Sequence, residues 1–245
     1  MTPPLFLLAE LPAGDHAVLD GPEGRHAATV KRLRPGEEVL LGDGRGQLAH
    51  AVVAATGRDV VDLTIGSRCS VAAPSPRVVV AQALVKGERG ELAVELATEA
   101  GVDALVPWQA ARCVARWAEG ARGDKGLARW RATAREAAKQ ARRAWVPPVA
   151  EPVSTRALAA RVADVACAVV LHESATAALA EVTLPAEGEV LLIVGPEGGI
   201  TDDELGVLTG AGATAVRLGP EVLRASTAAA VALGALGGLT RRWSR

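Results

Sequence analysis

Three loops carry the residue types that can do chemistry. Gly195-Pro196-Glu197-Gly198-Gly199-Ile200-Thr201 directly follows the apolar run LLIV. Its glycines let the backbone approach a ligand closely, and Pro196 stiffens the turn. Thr201-Asp202-Asp203-Glu204 fits a capping box, with Thr201 as N-cap and Glu204 three residues on. The second loop, Leu218 through Thr227, lies between a strand-like and a helix-like run. Ser226 or Thr227 can cap that helix, whose N-terminus favours an anion or a developing negative charge. Arg224 beside it can hold a phosphate or a base oxygen. The third is Leu171-His172-Glu173-Ser174, where His172 is a candidate base. Each loop also has a plain structural reading: a tight turn, a cap with a surface charge, a structural histidine.

Competing chemistries fail on spacing. There is no G-x-G-x-x-G opening the second half, no G-x-x-x-x-G-K-[ST] and no G-x-S-x-G. Dinucleotide, P-loop and nucleophile-elbow readings therefore lack their signatures. Cys69, Cys113 and Cys167 are far apart, and the four histidines form no H-E-x-x-H. A metal site has no support, and the cysteines read as buried small hydrophobes in a reducing compartment. The N-terminus lacks a basic region ahead of its short apolar run, and glycines interrupt Ala228–Leu239. Neither a signal peptide nor a membrane span is expected, which makes the protein cytoplasmic.

The elements that must position these loops divide in two. Residues 1–72 read as β-rich, with strand-like Val39–Gly42, Ala49–Ala54 and Val60–Ile65 and a GDGRG turn at Gly42–Gly46. Gly24–Leu33 reads as a short helix stopped by Pro35-Gly36. Residues 73–76, with two prolines in a small-residue stretch, read as a linker. From residue 77 to 245 strands and helices alternate. Strands are expected at Arg77–Val85, Ala104–Pro107, Val165–Leu171, Val190–Val194 and Ala213–Leu218. Helices are expected at Glu91–Ala100, Gly126–Arg143, Asp202–Thr209 and Ser226–Leu239. That rhythm predicts an α/β fold with a parallel sheet, whose ligands sit beyond the C-terminal strand ends.

The chain has 245 residues and a formal net charge of −1. The total hides a basic stretch. Between Arg112 and Arg143 ten Lys and Arg face only Glu119, Asp124 and Glu136, a local +7. Trp117, Trp130 and Trp145 interleave as stacking surfaces or core anchors. Arg25, Lys31, Arg32 and Arg34 form a second cluster. Two basic clusters on two domains suit a long polyanion.

The blocks LVKGERGELAVELATEAGVDALVPWQAARC, AREAAKQARRAWVPPV, LLIVGPEGGITDDEL and VRLGPEVLRASTAAAVAL resemble the 16S ribosomal RNA uridine-N3 methyltransferase family. GRHAATVKRLRPGEEVLLGDGRG is similar to that family's PUA-like RNA-binding module. The resemblance implies a trefoil-knotted (SPOUT) α/β methyltransferase domain preceded by a small PUA-like β-barrel. It implies S-adenosylmethionine as cofactor, contacting Leu171, His172, Gly195, Pro196, Glu197, Gly198, Leu218, Gly219, Pro220 and Leu223. It implies a homodimer acting on 16S RNA or the small ribosomal subunit.

For N3 of a uracil to accept a methyl group, its proton must leave. Arg224 is the first candidate to stabilise the anionic base, with the Ser226 helix end as support. Glu197, a histidine or water can take the proton, and Glu197 reads better as a loop-organising acceptor. The expected RNA contacts are Arg25, Lys31, Arg32, Arg34, Lys86, Arg89, Arg112, Arg135, Gln140, Arg142 and Arg143. The chain departs from the family pattern at Lys139, Glu221 and Ser226. Two alternatives stand beside this reading: methylation of another RNA nucleotide on the same fold, and a noncatalytic RNA-binding module of ribosome assembly.

Overall fold

The computed structural model describes residues 2–117 and 120–243; Glu119 of the basic stretch and the side chain of Arg122 lie outside the described residues. The chain forms two compact units. The first contains residues 1–73 and Ala138–Val146; the second contains Pro74–Ala137 and Pro147–Arg245.

The first unit is a five-stranded sheet. Its strands are β1 (Leu5–Leu7), β2 (His16–Leu19), β3 (Glu38–Gly42), β4 (Gln47–Gly57) and β5 (Val60–Ser70), in the order β1-β3-β4-β5-β2. β1 runs parallel to β3 and every other pairing is antiparallel. In β4, Ala49, Ala51 and Val53 are buried while His50 and Val52 are exposed. This alternation turns one face onto a core of Phe6, Leu19, Leu41 and Leu63. The helix expected at Gly24–Leu33 starts earlier and is broken. It comprises α1 (Gly21–Arg25), with Pro22 in its first turn, and then a wider π-type turn over His26–Val30. Arg32, at φ 55°, ends the helical path before Pro35.

The GDGRG turn forms between β3 and β4. The Asp43 carboxylate accepts from the N–H groups of Arg45 (2.7 Å) and Gln47 (3.0 Å). Gly46 sits at φ 102° under the Trp145 ring, where a Cβ would come within 2.6 Å of it. Trp145 donates its indole N–H to the Val71 carbonyl at 2.9 Å. The segment Ala138–Val146, expected to belong with residues 77–245, thus packs with the first unit.

The second unit is built on a six-stranded, all-parallel sheet. In chain order come β6 (Arg77–Ala83), α2 (Arg89–Glu99), β7 (Ala104–Gln109), α3 (Ala121–Gln140), β8 (Val153–Ser154), α4 (Thr155–Asp164) and β9 (Cys167–Leu171). β10 (Glu189–Val194), α5 (Asp202–Gly210), β11 (Thr214–Val216) and α6 (Ala225–Leu239) follow. The strand order is β11-β9-β10-β6-β7-β8. Within β6, Val78 through Ala83 are all buried, as an apolar strand covered on both faces requires. The sheet order changes direction between β6 and β10. Such a switch opens a crevice beyond the C-terminal strand ends.

Two elements of this unit, α4 and β8, were not expected from the sequence. α4 is capped by Ser154, whose hydroxyl accepts from the Ala157 N–H, and it buries Leu158 and Val162. β8 is only two residues long. Among the described residues no helix is long and apolar enough to cross a membrane.

Candidate functional site

The loops after β9, β10 and β11 converge on one cavity of about 660 Å³, and Arg112, after β7, joins its wall. Nine of the ten residues expected to touch a cofactor line it: Leu171, His172, Gly195, Pro196, Glu197, Gly198, Leu218, Gly219 and Leu223. Pro220 does not. Apolar surface comes from Leu171, Val194, Leu218, Leu223, Ala225 and Ala228, and the wall also carries the charged residues Arg112, Glu173, Glu197, Asp202, Arg217, Glu221 and Arg224.

The two strand-to-helix loops are built differently. After β10, Thr201 is the N-cap of α5, and its hydroxyl accepts from the Glu204 N–H at 3.2 Å. The Glu204 carboxylate returns the bond, accepting from the Thr201 N–H and hydroxyl at 3.3 and 3.0 Å. It also accepts from the Ala111 N–H and the Thr155 hydroxyl, each at 2.8 Å. Burial alone would raise the Glu204 pKa, but these donors together hold it below the ordinary glutamate value. After β11, Arg224 itself takes the extended cap position of α6, with no side-chain cap bond. Ser226 or Thr227 was expected as that cap. Both lie inside the first turn instead, with Ser226 5% exposed and neither in the cavity lining. The helix start, with the exposed Arg224, opens on the cavity.

Glu197 is exposed at the rim, and Arg89 sits 3.9 Å from its carboxylate. This suits a loop organiser. His172 Nδ1 lies 2.9 Å from the Ser174 hydroxyl and accepts from the Ser174 N–H at 3.3 Å. That N–H can only donate, so Nδ1 holds a lone pair and the neutral ring carries its proton on Nε2. Burial pushes the Cys113 and Cys167 thiols up, which keeps them protonated. Cys69 is exposed and Cys167 half-buried, against the expectation that all three cysteines are buried.

Sequence and structure comparisons bear on this geometry. A profile of the RNA methyltransferase domain family matches residues 73–237, and one of the RNA methyltransferase PUA domain matches residues 19–66. The chain is 57% identical to a Mycobacterium bovis protein named ribosomal RNA small subunit methyltransferase E, over 98% of this chain and 93% of that one. A Bacillus subtilis protein of the same name is 31% identical over 89% of this chain and 88% of its own. The chain belongs to this methyltransferase family. A Neisseria gonorrhoeae ribosomal RNA small subunit methyltransferase E, solved bound to S-adenosylmethionine, superposes with a TM-score of 0.86 at 28% identity, covering 98% of both chains.

Against the family pattern, Lys139 has a structural explanation. It is buried, and its ammonium lies 2.8 Å from the Glu23 carboxylate, so it ties the end of α3 to α1. Arg142 donates to the backbone carbonyls of Pro3 and Thr2 at 3.0 and 3.2 Å. Lys139, and Arg142 among the expected RNA contacts, therefore hold the fold. The rest of the basic stretch is also less free than its charge suggests. Arg129 pairs with Glu91 at 2.8 Å, and Arg131 with Glu151 at 2.9 Å. Trp130 is core and meets Trp117 edge-on at 5.0 Å. Arg25, Lys31, Arg32 and Arg34 are all exposed on the first unit; Lys86, Arg89, Arg112 and Arg135 are exposed on the second, and Gln140 is exposed at the end of α3. Arg143 is half-buried. Arg112 was expected to face RNA, yet it borders the cavity. Its place just beyond the C-terminal end of β7 was the available signal.

Proposed function

We propose that the protein transfers a methyl group from S-adenosylmethionine to N3 of a uridine in 16S ribosomal RNA. The observation that carries this reading is the cavity at the ends of β9, β10 and β11, with Arg224 and the α6 N-terminus at its edge. The residues present fit the cofactor. The volume lies within the roughly 300–1,000 Å³ of small-ligand sites. Apolar side chains suit an adenine face, while loop backbone can meet its polar edge.

When bound, the cofactor supplies a methyl group on a sulfonium, already electrophilic enough that no covalent enzyme intermediate is needed. The protein's own work is to hold N3 of the base in line and favour loss of its proton. Arg224 does the second, since a guanidinium beside the imide stabilises its anion. The N–H groups that open α6 add partial positive charge on the same side. His172, with its Nδ1 lone pair engaged by the Ser174 N–H, works as a donor through Nε2. Glu197, drawn toward Arg89, shapes its loop, and water takes the N3 proton. The exposed cations of the first unit hold RNA phosphates away from the chemistry. The proposal includes the knotted (SPOUT) topology, a closed PUA-like barrel, a homodimer and a cytoplasmic location.

The test is methyl transfer from labelled S-adenosylmethionine to small subunits or 16S RNA lacking the modification, with the product nucleotide mapped by mass spectrometry. Label on uridine N3 supports the reading. Label on another nucleotide replaces the base assignment. Cofactor binding without transfer leaves the noncatalytic assembly module.

A further inference from the structure

Glu204 has more to do than cap its helix. A capping box needs only the exchange with Thr201. Here the second carboxylate oxygen, Oε1, accepts from Ala111, which follows β7, and from Thr155, which opens α4. Thr155 in turn accepts from the indole N–H of the fully buried Trp108 at 3.2 Å. One buried carboxylate thus joins three chain segments distant in sequence.

The residue after Ala111 is Arg112. Its guanidinium donates to the Gly198 carbonyl at 3.1 Å. Its backbone presses on the same glycine: a Cβ at Gly198 would come within 3.1 Å of the Arg112 Cβ and 3.3 Å of its carbonyl oxygen. Arg112 and Gly198 both line the cavity. The Gly195–Thr201 loop is therefore held at its far end by Glu204 through Thr201, and in its middle by Arg112. The position of Arg112 is fixed by the same carboxylate.

We propose that Glu204 is a positioning residue: through Ala111 it sets Arg112 against Gly198, and so holds the β10 loop in the shape that binds the cofactor. This rests on the proposed use of S-adenosylmethionine. A neutral amide in place of the carboxylate keeps one acceptor oxygen and turns a donor toward groups that themselves donate.

The test is Glu204→Gln, alone and with Arg112→Ala, in the full chain. Calorimetry with S-adenosylmethionine should show a roughly tenfold loss of affinity for E204Q. In the R112A background the same substitution should cost less than about twofold, because the coupled step is already gone. Equal losses in both backgrounds would overturn the proposal, leaving Glu204 as a cap alone. Glu204→Asp, which keeps the charge, should recover part of the affinity. If E204Q does not fold, Glu204→Asp, whose shorter side chain cannot keep all of these bonds, is compared in the same two backgrounds. Amide hydrogen exchange supplies a readout that needs no cofactor. E204Q should speed exchange at Ala111 and at Gly198–Gly199 together, and acceleration at Ala111 alone would sink the coupling. If the unaltered protein binds no S-adenosylmethionine, the functional reading fails while the exchange result still decides the coupling.

Discussion

The two helices that begin at the cavity have opposite starts. α5 is closed off: Thr201 and Glu204 exchange bonds, and the carboxylate also takes donors from Ala111 and Thr155. α6 is left open: Arg224 occupies the cap position with no side-chain bond, its guanidinium exposed at the cavity edge. A helix start whose donors are satisfied is a fixed wall. One whose donors are left over can meet charge that appears only during a reaction. In the proposed mechanism the fixed wall and the reactive end fall on adjacent loops.

The largest test of this contrast is Arg224→Ala. Turnover should fall by about 100- to 1,000-fold, while S-adenosylmethionine affinity stays within about twofold. If affinity falls with turnover, the open end is part of the binding wall and the contrast collapses.

The closed end should show itself in acid. The folded pKa of Glu204 lies below its unfolded value. Its contribution to stability is then complete above the unfolded value, near 4.5, and is lost as pH falls through the depressed folded one. Urea unfolding between pH 6 and acid should show a steeper decline for the unaltered protein than for E204Q. Parallel declines would mean the carboxylate is not held charged by the fold. The smallest effect separates the caps themselves. Thr201→Ala should cost about 1 kcal/mol. Ser226→Ala, which removes no cap and puts a better helix former in the first turn, should cost less than about 0.5 kcal/mol by the same measurement.

Much of the second unit was legible because its strands are buried on both faces. Runs such as VVVA in β6 and EVLLIV in β10 leave little ambiguity, and Thr201-x-x-Glu204 announced its helix. The misses were of other kinds. β1 and β8 are too short to carry a pattern. Residue type points to Ser226 or Thr227 as a cap, but the cap is the residue with extended backbone, and that is Arg224. The breadth of Glu204's role was not legible because its partners Ala111 and Thr155 lie far along the chain. The basic stretch misled for a similar reason: local charge counts include Lys139, whose partner Glu23 stands more than a hundred residues earlier.

That last pair bears on how the chain can be cut. The boundary at residues 73–76 looks like a place to separate two modules. Yet the first unit borrows Ala138–Val146 from beyond it, including Lys139 against Glu23 and the Trp145 ring over Gly46. A fragment ending there would lose both, together with Val146, which packs against Leu5, Leu7 and Leu40. The two halves are interleaved along the polypeptide, so neither is a transplantable piece. Recombination or truncation that respects the proline linker would still break the protein.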